Sequence, residues 1–308
     1  MDPLIVLFGF GVGILVGLTG VGGGSLMTPV LILVFGFKPV TAVGTDIAYG
    51  AITKTVGGWR HFRQNTVNMS LSTWMAFGSV PSAVAGVYGL HALEKATGKS
   101  FDETVLAILS AALMFTGVMV LARALFLPKL VAREREVLTL ERRHKVSAVI
   151  LGVLVGFVLG VTSAGSGSLI AVGLIMLFRL APRQVVGTDV FHAAILLWAA
   201  ALAHVVAGNV DYGLMGTILI GSIPGVWIGS HWSIRTPVAT LRTALGVIMI
   251  GASLGLMSKA GADVPNVVLG GVPLLLLALV ARPQIMRWLR PVPPAPAPSA
   301  ELPTPGPQ

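Results

Sequence analysis

Across 308 residues the chain is 55% hydrophobic and only 11% charged, with a mean hydropathy of +0.87, which leaves too little polar surface to cover a soluble globule. The composition reads as a polytopic membrane protein and excludes a soluble nucleic-acid-binding domain as the reason for the net charge of +9; in a membrane protein, excess Lys and Arg mark cytoplasmic loops. There is no cysteine, so disulfides, thiolate catalysis and thiolate metal sites are excluded.

Taken in order, apolar runs cover residues 3–19, 24–37, 42–58, 70–92, 103–127, 146–162, 167–180, 184–207, 211–232, 238–258 and 264–281. The runs are continuous and do not alternate apolar with polar at period two, so they read as helices and the expected fold is all-α. Met1-Asp2-Pro3 leads straight into the first run with no basic region before it, so that segment reads as retained structure, not a signal peptide. Arg123 to Lys145 is the richest basic stretch and is placed in the cytoplasm. Pro291 to Gln308 holds eight prolines and is expected to be a disordered cytoplasmic tail.

A shift of 143 positions lays the second half of the chain on the first. Between Gly9 and Gly86 this ungapped register makes 26 of 78 positions identical, which is an internal duplication. Counting loops outward from the basic stretch puts five segments in each copy, an odd number, so the second copy is expected upside down relative to the first. The expected organisation is a first transmembrane repeat at 1–127, a basic linker at 128–145, an inverted second repeat at 146–260, a closing helix at 261–290 and the tail at 291–308. Segments 24–37 and 167–180 have about 14 residues each, roughly 21 Å of helix against about 30 Å of hydrocarbon. They are short enough for each to belong to a re-entrant hairpin. Short, Gly-interrupted segments at matching positions of two halves point to a transporter binding site.

The most informative repeated stretch is Gly17-Leu18-Thr19-Gly20-Val21-Gly22-Gly23-Gly24-Ser25, echoed by Gly160-Val161-Thr162-Ser163-Ala164-Gly165-Ser166-Gly167-Ser168. Such a turn lets the backbone approach a ligand, and the helix that follows presents free N–H groups and a positive dipole end. Gly22, Gly23, Gly24, Ser25, Gly165, Ser166, Gly167 and Ser168 are therefore the expected substrate-binding residues; the alternative is that these small residues only allow close helix packing. Thr45-Asp46 and Thr188-Asp189 follow Pro39 and Pro182 by six residues. They suit capping of the third helix of each copy, with Thr45 and Thr188 as side-chain donors to an anion and Asp46 and Asp189 on a polar or proton pathway. Lys54 is a basic residue inside an apolar segment, suited either to counter an anion or to snorkel. His61 and His204 sit at equivalent positions near opposite membrane faces, and His192 lies one turn after Asp189. Proton coupling and plain interfacial structure are both open for them. Ser168 with His192 lacks the spacing of a hydrolase.

With these residues in place, the chain resembles the TauE/SafE sulfite exporter family of bacterial anion permeases. The features that carry the resemblance are the glycines from Gly13 to Gly24, Pro29, Gly44-Thr45-Asp46, its echo Gly187-Thr188-Asp189, and Pro81/Pro224. The resemblance implies a secondary transporter of small sulfur-containing anions, such as sulfite, sulfoacetate or other organosulfonates. It would work by alternating access in the bacterial inner membrane, with export the expected direction. No catalytic residue, metal or cofactor is expected. The expected partners are a small anionic substrate, the lipid bilayer and a coupling proton or ion, with homo-oligomers compatible and no nucleic acid. The competing reading is a cation transporter using Asp46 and Asp189; a membrane-embedded enzyme ranks behind it.

Overall fold

A computed structural model describes residues 2–19, 24–126, 140–165, 167, 169–232 and 238–288. Among these residues lie eleven α-helices: α1 Pro3–Thr19, α2 Gly24–Leu33, α3 Pro39–Arg63, α4 Met69–Thr97, α5 Phe101–Phe126, α6 Arg142–Thr162, α7 Leu169–Phe178, α8 Pro182–Val206, α9 Tyr212–Trp232, α10 Val238–Lys259 and α11 Asn266–Trp288. Each expected apolar run has its helix, so the all-helical membrane architecture is as expected. Met69–Ala124, Arg142–Thr162, Pro182–Val206 and Tyr212–Trp232 are long and apolar enough to cross a membrane. The linker residues 128–139 and the 291–308 tail lie outside the described residues.

The duplication is visible in the backbone. α3 and α8 start on Pro39 and Pro182, and α4 and α9 start on Met69 and Tyr212, each pair 143 apart. Proline suits a first helical position, where the missing N–H would have had no partner. The turns repeat too: positive φ occurs at Gly36 and Arg179, and again at Asn65 and Gly208, both pairs in the same register. At Arg179 and Asn65 the conformation is kept although the residue is not glycine.

The two halves interlock. α1 packs along α9 and its counterpart α6 packs along α4, while α3 pairs with α8 and α5 with α10. Exchanging each helix for its repeat partner leaves this set of pairings unchanged. The close pairs rest on small residues at every fourth position, which bring backbones together where lipid offers no hydrophobic drive. On α6, Gly152, Gly156 and Gly160 meet the carbonyls of Met75, Ser79 and Ala83 on α4, and on α9, Gly221, Gly225 and Gly229 meet those of Val6, Phe10 and Ile14 on α1. Helix packing therefore accounts for the glycines that precede the repeated turn.

α2 and α7 are the exceptions in length. Ten residues each make about 15 Å of helix, half of a hydrocarbon core. Each follows a Gly-rich stretch of the sequence and packs on the third helix of its own repeat.

Candidate functional site

The Gly-Thr-Asp triplets lie in the second turn of α3 and α8. Both helices begin on their prolines, so neither Thr45 nor Thr188 caps its own helix, contrary to the capping expectation. Each serves the first turn of a helix in the other half instead. Thr45 Oγ1 accepts the Asp211 N–H at 3.0 Å, and Thr188 Oγ1 accepts the Asn68 N–H at 2.9 Å. Asn68 and Asp211 in turn receive Leu71 N–H at 3.0 Å and Leu214 N–H at 2.9 Å on their side-chain oxygens, as N-cap residues do. The preceding glycine makes room for this joint: a Cβ at Gly44 would run into the Asn209 carbonyl, and one at Gly187 into the Thr66 carbonyl. The triplet thus divides its work, with glycine admitting the other repeat, threonine hydrogen-bonding it and aspartate entering the interior.

Asp46 is 1% exposed. Its Oδ2 accepts two hydroxyls, Thr28 Oγ1 of α2 and Ser163 Oγ, each at 2.6 Å. Ser163 follows α6 in a left-handed conformation, φ 59°, so the second repeat's Gly-rich turn reaches the first repeat's carboxylate. Asp46 Oδ1 has no hydrogen-bond partner. One turn on, the Tyr49 hydroxyl is fully buried and faces Ser222 of α9. A cavity of about 10 Å³ beside Thr28, Pro29, Thr162 and Ala164 has room for about one water at most.

The second half carries the same constellation with different chemistry. Asp189 is 5% exposed and lies within electrostatic reach of Lys54 and Arg123. Lys54 is itself buried, 8% exposed, and its ammonium makes no hydrogen bond, so it does not snorkel to the surface. His192, the counterpart of Tyr49, has Nδ1 3.3 Å from Ser72 Oγ and Nε2 3.1 Å from Ser79 Oγ. Both of its ring nitrogens are engaged.

His204 and His61 both make polar contacts within the fold. His204 is fully buried, not at a mouth as its position near a helix end suggested. Its Nε2 is 3.0 Å from the Gly160 carbonyl and its Nδ1 is 3.2 Å from the Asn209 amide nitrogen. His61 is partly exposed, with Nδ1 3.0 Å from Thr66 Oγ1. Gly22, Gly23, Ser166 and Ser168 lie outside the described residues. Gly24 opens α2, Ser25 behind it is 4% exposed, Gly165 has φ 100°, and Gly167 is buried in the same turn.

Thr28, Tyr49, Ser72, Ser79, Ser163 and Ser222 are the polar residues that sequence reasoning did not single out. For Ser79 and Ser222 the signal was present, because the two serines coincide under the 143-residue shift and face Tyr49 and His192, which also coincide.

Comparison with known proteins agrees with this architecture. A bacterial relative, "Probable membrane transporter protein YjnA" of Bacillus subtilis, is 41% identical over 257 residues, covering 83% of this chain and all of that protein. "Probable membrane transporter protein YdhB" of the same organism is 28% identical over 79% of this chain and 94% of its own length. An archaeal relative, "Probable membrane transporter protein MJ0441" of Methanocaldococcus jannaschii, is 24% identical over 73% of this chain and 82% of its own. No solved structure matches. The family model described as Sulfite exporter TauE/SafE matches residues 5–256. A duplicated all-helical membrane scaffold with a buried polar seam between its halves, matched over that length, makes this chain a member of the TauE/SafE sulfite exporter family and a multi-pass membrane transporter.

Proposed function

We propose that the protein exports a small sulfur-containing anion, such as sulfite or an organosulfonate, across the bacterial inner membrane by alternating access. The observation that carries the reading is the paired half-span helix, α2 and α7, each preceded in the sequence by a Gly-rich stretch and packed on the third helix of its own repeat. A helix N-terminus offers unpaired N–H groups and a positive dipole end to an anion. In two copies of opposite orientation, two such ends approach the midplane from opposite sides. Gly22 to Ser25 and Gly165 to Ser168 are the proposed anion ligands. Backbone donors bind without the deep electrostatic trap of a fixed buried arginine. The Thr45 and Thr188 hydroxyls hold the joints between halves, so the anion's donors are drawn from the turns. Lys54, buried beside Asp189, supplies positive charge to the same interior.

A pocket of about 300 Å³ lined by Lys38, His91, Glu94, Lys99, Asp102 and Asn209 abuts one joint and is placed on the outer face. The basic linker and the C-terminus are placed in the cytoplasm. Asp46, Asp189, His61, His192 and His204 remain the titratable groups available for coupling.

The test is flux of radiolabelled sulfite and sulfoacetate in proteoliposomes, with mono- and divalent cations measured in parallel. Saturable anion flux is expected, and Ser25→Ala should raise the half-saturating concentration about tenfold, one lost hydrogen bond to a charged partner. Cation flux without anion flux sinks the reading in favour of a cation transporter.

A further inference from the structure

The second half of the chain grips α3 at two neighbouring residues. The Asp211 N–H, in the α8–α9 connection, donates to Thr45 Oγ1 at 3.0 Å, and the Ser163 hydroxyl, just past the end of α6, donates to Asp46 Oδ2 at 2.6 Å. His204, fully buried near the end of α8, ties the two grips together. Its Nε2 is 3.0 Å from the carbonyl of Gly160 in the last turn of α6, and its Nδ1 is 3.2 Å from the side-chain nitrogen of Asn209, two residues before Asp211. A carbonyl only accepts and an amide nitrogen only donates, so one neutral tautomer, with its proton on Nε2, serves both contacts. The Asn209 N–H also donates to the His204 carbonyl at 2.9 Å. The contacts therefore run from Asp46 through the end of α6 and His204 to the α8–α9 connection and return on Thr45, a closed ring.

The other half does not close the same ring. Its joint is intact, with the Asn68 N–H on Thr188 Oγ1 at 2.9 Å. Gly20 stands at the Ser163 position and Ala171 at the Thr28 position, so neither brings a hydroxyl to Asp189. His61, at the His204 position, repeats the contact with its own connection, Nδ1 to Thr66 Oγ1 at 3.0 Å. It is partly exposed, and among the described residues no hydrogen bond joins it to Gly17, the counterpart of Gly160. The two joints match in geometry, yet only the α3–α9 joint is tied back to the interior. In a carrier built from two exchanging halves, a bond that one joint has and the other lacks biases the populations of the two states.

We propose that His204 is a positioning residue which, with Ser163, latches the α3–α9 joint, so that the substrate-free protein rests with that joint shut and the α4–α8 joint free to part. The proposal rests on the transporter reading. With the α8–α9 connection on the outer face, a carrier that rests shut to the outside is ready to load from the cytoplasm, as export requires.

The experiment uses Val67 and Val210, partly buried valines 143 residues apart in the two connections. Each is replaced singly by cysteine in this cysteine-free chain, and its rate of reaction with a maleimide is measured on the full chain in nanodiscs, where both faces are open to the reagent. One net hydrogen bond sets a bias of about ten to one. Losing it levels the two states, so His204→Leu should raise labelling of Val210→Cys about fivefold and lower labelling of Val67→Cys about twofold. Ser163→Ala, which leaves the His204 contacts in place, should shift both rates in the same directions, and it decides alone should His204→Leu not fold. His204→Gln, with one donor and one acceptor, should label as the wild type does. The reciprocal change is the discriminating result, because a brace for one loop would alter only the nearer cysteine. A rise at 210 with 67 unchanged or raised overturns the proposal, as does a Ser163→Ala protein that labels as wild type or a Gln variant that behaves as Leu. Labelling needs no anion, so reciprocal labelling without sulfite flux refutes the anion and keeps the latch, and sulfite flux without it does the reverse.

Discussion

Thr45 shows how a residue chosen for one role serves another that only packing reveals. Its position six residues after Pro39 suggested a helix cap or an anion donor; α3 starts on Pro39, so Thr45 does not cap it, and its hydroxyl accepts the Asp211 N–H across the boundary between repeats. Thr45→Val keeps the shape and removes the acceptor. The expected result is a loss of about 1–3 kcal/mol of stability, the range for a buried donor left unmatched, with anion flux per folded molecule unchanged. Loss of flux at wild-type stability would put the hydroxyl on the anion instead. Asp46 was legible as a buried carboxylate from its apolar surroundings, but not its partners. Thr28 and Ser163 lie 18 and 117 residues away, and no local pattern links separations of that kind.

The helices were the most legible level of the structure, because in a bilayer every backbone group must be bonded within its own segment and apolar length alone then marks a span. Their ends shifted by a few residues where proline set the start. What the glycines do was ambiguous from sequence, since a Gly-rich run suits both a ligand turn and a packing face. The structure separates the two by position, with Gly152, Gly156 and Gly160 on a helix face against α4 and Gly165 in a turn with φ 100°. Gly156→Leu is therefore expected to drive α4 and α6 apart and cost more than about 3 kcal/mol, beyond ordinary overpacking because backbone occupies the space. Gly11→Leu on α1, where a Cβ meets nothing within 4 Å, should be tolerated. Monodispersity and melting midpoint of the two purified variants check this, and equal behaviour would show that α4 and α6 do not pack as described.

For the whole molecule, the interlocking of α1 with α9 and of α6 with α4 means that neither repeat buries its own packing faces. Each half completes the other, so the halves are expected to fold as one unit. The odd number of segments per repeat adds an orientation: equivalent turns should lie on opposite sides of the membrane. Gln64 and Ala207 occupy equivalent places just after α3 and α8, and the chain has no native cysteine to confuse labelling. Gln64→Cys is expected to react with an impermeant thiol reagent from the cytoplasmic side and Ala207→Cys from the outer side. Labelling of both from one side would refute the inverted arrangement.

By itself the sequence determined the class, the eleven helices, the duplication and the family, because each follows from properties that act along the chain: apolar length, proline starts and a fixed 143-residue register. The tertiary structure alone decided which polar atoms meet. Thr45 joins Asp211, Ser163 reaches Asp46, and Tyr49 faces Ser222 where His192 faces Ser79. These partners belong to different halves, and the geometry that brings them together comes from helix packing across the duplication, which no periodicity within a single repeat encodes.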